Sequence, residues 1–444
     1  MRDNLLLDFG DTFLVDSYIR ELGFDKALNA LGYSNPDTLR ALLHFYLLSS
    51  LPNEHAMAWL DGNVARVLYP QADLSAQSID SLLHFLGSGS VWGKFFKSYK
   101  ALLQSSFAGH AKAENVLIDS TGLPYSSHFR ITSIELNKQD NCSALRLLYA
   151  GQQQTGLPLA LPYVHPVYDE GSDAATVVDT IAALKEQGIN ITAVNLVNGY
   201  YGPKDITVLY QNKVAFLQRL PKHCKLYKQL VEKNASTLIG TGVFVDARPN
   251  LYMIKRVPCK LEGHDKQHSA YAYLVQDQAR RLDGNAAVLR LTRSYDSDNY
   301  KYELFADLNE AGLTVQVSSK QLEPQDLLAL YDTRQYMDAV FALQDNAYSF
   351  DPKGSRSEAT VRGHLLLTFM AAVVTRKLQE LSAQLVDTTD SMLQHLRNHK
   401  CMVSGEEIAI AKVPTSVAQI YEAAHIKCPS VLTHSSWLEQ HRSK

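Results

Sequence analysis

Apolar positions recur at helical spacing through the first hundred residues of this chain. Asn35-Pro36-Asp37 opens the stretch TLRALLHFYLLSS, which runs to Pro52 with apolar residues three and four apart. Asp73-Leu74-Ser75 is a second capped start, leading into Ser78 to Leu86 (SIDSLLHFL). Gly87-Ser88-Gly89 punctuates the pattern, and VWGKFFKSYKALLQSSF predicts a third helix. Residues 1–112 therefore read as a helical domain.

The period changes near residue 114. Glu114 to Asp119 (ENVLID) predicts an apolar strand that ends in an acid, with Ser120, Thr121 and Gly122 as turn residues. SALRLLYAG (143–151) and LPLALPYV (157–164) are two further strands, joined by a Gln/Thr/Gly turn. A helix over 175–188 precedes a strand at 191–197; a short helix from Lys204 precedes a strand at 214–220. Hairpin-linked strands followed by helix–strand–helix–strand predict an α/β fold with a mixed sheet, here spanning 113–235. Between 236 and 320 the runs are short, β-branched and aromatic, split by Gly, Asn, Asp and Pro, which predicts an all-β insertion. Residues 321–385 return to helix, with a strongly apolar segment after Arg362, and 386–444 read as short helices between Pro-marked turns.

Composition narrows the class only a little. The 444 residues leave room for several domains, and 46% hydrophobic with 20% charged residues is ordinary for a globular protein. The net charge of −3 does not announce nucleic acid, although local basic patches can still hold phosphate. Five scattered cysteines (Cys142, Cys224, Cys259, Cys401, Cys428) without a C-x-x-C favour reduced thiols and a cytoplasmic setting. Acids interrupt the N-terminal MRDNLLLDFGD, so no secretory signal is expected, and no run of 18 apolar residues predicts a membrane span.

The most specific signal is the stretch from Tyr331 to Asp345, YDTRQYMDAVFALQD. Spacings of three and four set Tyr331, Arg334, Asp338 and Phe341 or Asp345 near one stripe of a helix. It resembles the Tyr-x2-Arg-x3-Glu-x6-Lys signature of insertion-sequence transposases with an Asp-Asp-Glu metal site, the class with a large β insertion. Asp338 stands where that family has Glu, and Asp345 where it has Lys. Thr155-Gly156-Leu157-Pro158, Phe216 to Arg219 and Gly363 to Leu366 resemble further family segments, so the likeness runs discontinuously over most of residues 5–385.

The resemblance implies a ribonuclease H-like core, a DNA partner (element ends) and Mg or Mn as the cofactor of an active form; a homodimer is among the assemblies it allows. The helical N-terminal domain is then either a packing and dimerisation unit or a reader of DNA ends. In such a core two divalent ions are clamped by carboxylates from separate elements. Asp119 on the first strand and Asp338 on the later helix take two of those roles as catalytic and metal-binding residues. The third fails. The family's Asp-x-Gly-aromatic turn corresponds here to Val197-Asn198-Gly199-Tyr200, and neither Val197 nor Asn198 is an ionised ligand. Asp205, the nearest acid downstream, is expected on an exposed helix face. Three readings stand: a transposase-derived DNA-binding protein with impaired chemistry, an active transposase, or a recruited interaction protein.

Arg219, Lys222, Lys225 and Lys228, with Tyr227 between them, form a basic cluster after the fifth strand. Tyr331 and Arg334 join Arg219, Lys222 and Lys225 as candidate DNA contacts. Cys259-x4-His264-x3-His268 has soft ligands, but a structural zinc site needs a fourth ligand and paired spacing, so an exposed hairpin tip is the expectation.

Overall fold

The structure is a computed structural model. It describes residues 5–106, 114–125, 134–137, 142–152, 157–160, 173–186, 191–196, 201–238, 243–245, 251–282, 311–324, 326–328, 357–405 and 407–433. The chain opens with a short strand, β1 (Leu5–Asp8), and seven helices: α1 (Gly10–Glu21), α2 (Phe24–Ala30), α3 (Pro36–Leu48), α4 (Ala56–Asp61), α5 (Ala65–Leu68), α6 (Ala76–Leu86) and α7 (Gly89–Ser106). The start signals in the sequence act as caps. The Asn35 side chain accepts from the Thr38 amide at 3.1 Å with Pro36 in the first turn, and Ser75 Oγ accepts from the Ser78 amide.

Strands β2 (Glu114–Tyr125), β3 (Ile134–Asn137), β4 (Cys142–Gln152) and β5 (Pro158–Ala160) come next. Then α8 (Asp173–Glu186), β6 (Ile191–Leu196), α9 (Pro203–Gln211), β7 (Phe216–Arg219) and α10 (Lys225–Asn234) alternate. Strands β8 (Val243–Val245), β9 (Leu251–Glu262), β10 (Gln267–Asp277) and β11 (Leu313–Ser318) follow. The last described region holds α11 (Glu358–Gln384), α12 (Thr389–Arg397), β12 (Lys400–Ser404), β13 (Glu407–Ile410), α13 (Thr415–Ala423) and β14 (Val431–Thr433).

Ten described strands form one mixed sheet in the order β3-β4-β2-β6-β7-β11-β10-β9-β8, with β5 beside β4. β2, β6 and β7 are mutually parallel, so each passage between them needs a crossover, which α8 and α9 supply. The other pairings are antiparallel. One correction follows. β2 does not stop at Asp119: Ser120 to Tyr125 continue the ladder opposite Leu148 to Ser143 of β4, because the partner strand goes on offering backbone hydrogen bonds. β9, β10 and β11, in the stretch expected as an all-β insertion, extend the same sheet through the antiparallel pair β7–β11.

Strand alternation gives this sheet two apolar faces. Val116, Val194, Leu196, Phe216, Val315 and Leu274 pack with Val177 and Ile181 of α8, Ile206 and Leu209 of α9, and Tyr227 and Leu230 of α10. Leu217, Tyr273, Val275, Tyr252 and Ile254 form a smaller cluster on the other face, with Leu327.

The remaining core joins the two ends of the chain. Leu42, Phe45, Leu86 and Phe95 from the N-terminal helices share one cluster with Leu366, Met370, Leu396 and Ile408. Phe369 of α11 sits edge-on to Phe95, Phe96 and Tyr99 at 5.3–5.9 Å between ring centroids. The C-terminal stretch, expected as short helices between turns, holds two helices and also contributes β12, β13 and β14 to a four-stranded sheet whose edge is β1. Only a partner some four hundred residues away in sequence completes that sheet, so local pattern did not reveal it. No described helix is long and apolar enough to cross a membrane.

Candidate functional site

The parallel pairing of β2 with β6, and of β6 with β7, ends at one level of the sheet, while β2 itself runs on to Tyr125. Ile118 of β2 is the register partner of Leu196, the last residue of β6, and Leu196 is the partner of Gln218 on β7. Asp119 is the next residue along β2, opposite Tyr149 of β4, and Arg219 is the next along β7, opposite Gln316 of β11. The carboxyl ends of β6 and β7 lie at this level, and carboxyl ends of parallel strands are where α/β sheets commonly present chemistry. Val197 and Asn198 lie outside the described residues, as do Tyr331, Arg334 and Asp338.

The row carrying Arg219 continues across the sheet through Gln316 and Tyr273 to Arg256. Gln316 and Tyr273 are buried between the two arginines. The Tyr273 hydroxyl accepts from the Leu322 amide at 2.6 Å, and Arg256 lies 3.6 Å from the Glu323 carboxylate. One position back on β7, Gln218 is fully buried and neither amide atom of its side chain has a hydrogen-bond partner. No spacing in the sequence distinguishes Gln218, since a Gln in an apolar strand is ordinarily read as its solvent-facing position.

The basic cluster is divided by the sheet. Phe216 packs with α10, so alternation puts Arg219 with Leu217 on the opposite face. Lys222, Lys225 and Lys228 are exposed along the turn and first helical turn of α10. Tyr227 is buried under that helix rather than interleaved with the lysines at the surface. Cys224 caps α10, its Sγ accepting from the Tyr227 amide at 3.3 Å. A helix N-terminus flanked by Lys222 and Lys225 offers backbone N–H groups and positive charge to a phosphate.

Asp205 is buried, not exposed. Its Oδ2 accepts from the Gly202 amide at 3.2 Å and its Oδ1 from the Ala174 amide at 3.1 Å. One carboxylate thus caps both α8 and α9. The signal was present in Gly202-Pro203-Lys204-Asp205, an acid three residues into a Pro-started helix.

The β9–β10 hairpin ends at Gly263–Lys266, with His264 and Asp265 exposed. The His264 amide donates to Thr207 Oγ1 at 2.8 Å, fastening the tip to α9. The His268 ring stacks on Tyr210 at 4.1 Å between centroids, and burial pushes the half-buried Cys259 thiol up to about 11.

A separate cleft of about 750 Å³ opens between the end of α3 and helices α11 and α12, lined by Tyr46, Trp59, Gln379, Asp390 and Arg397 among others. Arg397 donates to the Leu48 carbonyl and lies 3.3 Å from the fully buried Asp11 carboxylate. Burial raises the Asp11 pKa, against the pull of Arg397 and the Thr12 amide.

No family model matches the chain, and no curated protein matches it. Among solved structures it is similar to a piggyBac transposase in a synaptic complex with hairpin DNA. Identity is 10%, covering 82% of this chain and 70% of that chain, with a TM-score of 0.38.

Proposed function

We propose that this chain is a DNA-binding protein of the transposase lineage, built on a ribonuclease H-like core, whose metal-dependent strand cleavage is impaired. The observation that carries the reading is the register at the end of β6. Ile118 pairs with Leu196, so β6 ends beside Asp119, and the residues that follow in sequence are Val197 and Asn198. A two-metal site needs a carboxylate here, and a valine and a neutral amide do not replace one.

The strand order supports the same core. β5, β4 and β2 run antiparallel, and β2, β6 and β7 run parallel; leaving aside the short β3, which pairs with the other end of β4, the order is third-second-first-fourth-fifth across the sheet. The Tyr331–Asp345 signature supports the lineage. Its Asp338 is one methylene short of Glu, and its Asp345 repels the phosphate that a Lys attracts. Mg²⁺ or Mn²⁺ would polarise the scissile phosphodiester in a complete site. Asp119 and Asp338 are the acids in this chain that would hold it. Lys222 and Lys225, at the start of α10, take the phosphate backbone.

The experiment measures binding and cleavage together, on duplexes carrying the terminal sequences that flank the gene, in Mg²⁺ and in Mn²⁺. The natural protein should bind with an affinity that falls steeply with salt, and should not cleave. Lys222→Glu with Lys225→Glu should weaken binding about tenfold or more and lower the salt slope. Val197→Asp tests where the deficit lies. Cleavage by the natural protein that disappears in Asp119→Ala would overturn the impaired chemistry. Absent or salt-insensitive binding would overturn the DNA reading.

A further inference from the structure

We propose that the cleft between α3, α11 and α12 binds a small organic cation, one ammonium or guanidinium group on an apolar body. Its volume of about 750 Å³ is that of a site which encloses a small molecule. The walls set the character of the body. Trp59, Leu51 and Leu393 line the cleft; Trp59 is half-buried and Leu51 is 49% exposed, so both have surface left to cover. Phe45 meets the Trp59 ring at 5.6 Å between centroids, with the planes 63° apart, which holds the indole against the end of α3. A held indole is a platform for an apolar body and a cation–π partner for the charge that the body carries.

Charge selects the head group. Among the described residues lining the cleft, three are charged: Asp8, Arg397 and Asp390. Asp8 is ion-paired with Lys400. Arg397 is committed elsewhere: its Nη2 donates to the Leu48 carbonyl and its Nε to the carboxylate of the fully buried Asp11. An anion that drew Arg397 away would leave Asp11 buried without its cation, a larger cost than an exposed pair returns. Asp390 is exposed and makes no ion pair or hydrogen bond among the described residues. The positive start of α12 and the negative end of α3 both border the cleft, so their half-charges oppose each other and Asp390 sets the sign.

One acid also sets the number of charges. A metal ion needs several oxygen ligands, and no described group of three acids, histidines or cysteines is placed to hold one. A polyamine would bring charges that no second free carboxylate meets. A single positive head remains. Gln379, on the α11 wall, adds a polar contact: its side-chain amide has no hydrogen-bond partner, and its Oε1 is out of contact with solvent. Turning that amide into the cleft gives the oxygen a ligand N–H to accept from. The phosphates of DNA are repelled here, so the site is separate from the DNA contacts proposed above.

Three probes of one shape and different charge test this: 2-phenylethylammonium, neutral 2-phenylethanol and anionic phenylacetate. Each is titrated into the full chain at neutral pH without DNA or divalent metal, with binding read by tryptophan fluorescence and by ligand-observed NMR. The cation should saturate with a Kd of about 1 mM or lower. The neutral probe should bind about fivefold more weakly or worse, and phenylacetate more weakly still. Asp390→Asn, at an exposed position, should keep the thermal midpoint and abolish the preference for the cation; Asp390→Lys should turn it toward phenylacetate. Trp59→Phe should remove the fluorescence response. Equal affinity for the three probes, a preference unchanged in Asp390→Asn, a fluorescence response that survives Trp59→Phe, or no saturable binding up to about 50 mM overturns the proposal. The DNA-binding reading stands or falls separately, since no arm of this test contains DNA.

Discussion

Two parts of the molecule are stabilised in different ways. The terminal body is held by close approach of distant segments. At the crossing of α6 and α11, a Cβ on Gly363 would meet the Leu83 carbonyl oxygen at 1.7 Å, and one on Gly87 would meet that of Ala359 at 1.8 Å. Nearby, Tyr46 and His364 share a buried 3.0 Å hydrogen bond between α3 and α11. The large sheet is held instead by register along many strands. The first kind of stability is lost by adding one methyl group at a crossing. The second tolerates side-chain change but depends on which strand lies beside which.

Gly363→Ala should have the largest effect. The contact is backbone against Cβ, so no side chain can give way, and about 3 kcal/mol of stability should disappear in chemical denaturation. A loss below about 1 kcal/mol would mean that the two helices do not cross this closely.

The pH dependence is the next test of the terminal body. Burial depresses the His364 imidazole from its ordinary 6.5 to about 4. A depressed pKa means that the folded state holds the neutral ring. The stability it contributes is therefore complete above about 6.5 and is lost as pH falls through about 4. Over that window about 3 kcal/mol should be lost, at roughly 1.4 kcal/mol per unit of pKa difference. His364→Gln should flatten this fall, whatever its effect at neutral pH, and an unchanged profile would assign the fall to other groups.

Asp205→Ala tests the sheet side at a junction of two helices. Losing both caps should cost about 1–2 kcal/mol, and amide exchange should quicken at Ala174 and Gly202 first. The smallest expected effect has the opposite sign. Gln218→Leu removes two unpartnered polar atoms while keeping volume, and should leave stability unchanged or raise it by about 1 kcal/mol. A clear destabilisation would show that the amide bonds an ordered water.

Much of the local structure was legible. The N-caps at Asn35 and Ser75, the strands from Glu114, Ser143, Leu157, Ile191 and Val214, and the apolar helix after Arg362 follow from period and start signals, and each meets an observed element. The misreadings share one cause. Ser120, Thr121 and Gly122 have turn chemistry, yet β4 across from them keeps the strand going to Tyr125. Asp205 looks like a helix-surface acid, yet α8 brings a second helix N-terminus to it. Tyr227 looks like an aromatic among lysines, yet it is the residue with which α10 meets the sheet. In each case a partner distant in sequence outweighed the local preference. The candidate site was legible as a list of residue types, because chemistry follows composition. The neighbour relation of Asp119 and the end of β6 needed the register.

The sequence by itself determined where apolar faces begin and end, which residues start the helices, and which ionisable groups exist to do chemistry. Those follow from covalent spacing and side-chain type. Only the tertiary structure decided that the two chain ends share one core, that β9 to β11 continue the same sheet as β2, and that Arg219 and Lys225 lie on opposite faces of it. Each of these depends on which distant surfaces exclude water from one another, and that free energy has no local trace in the chain.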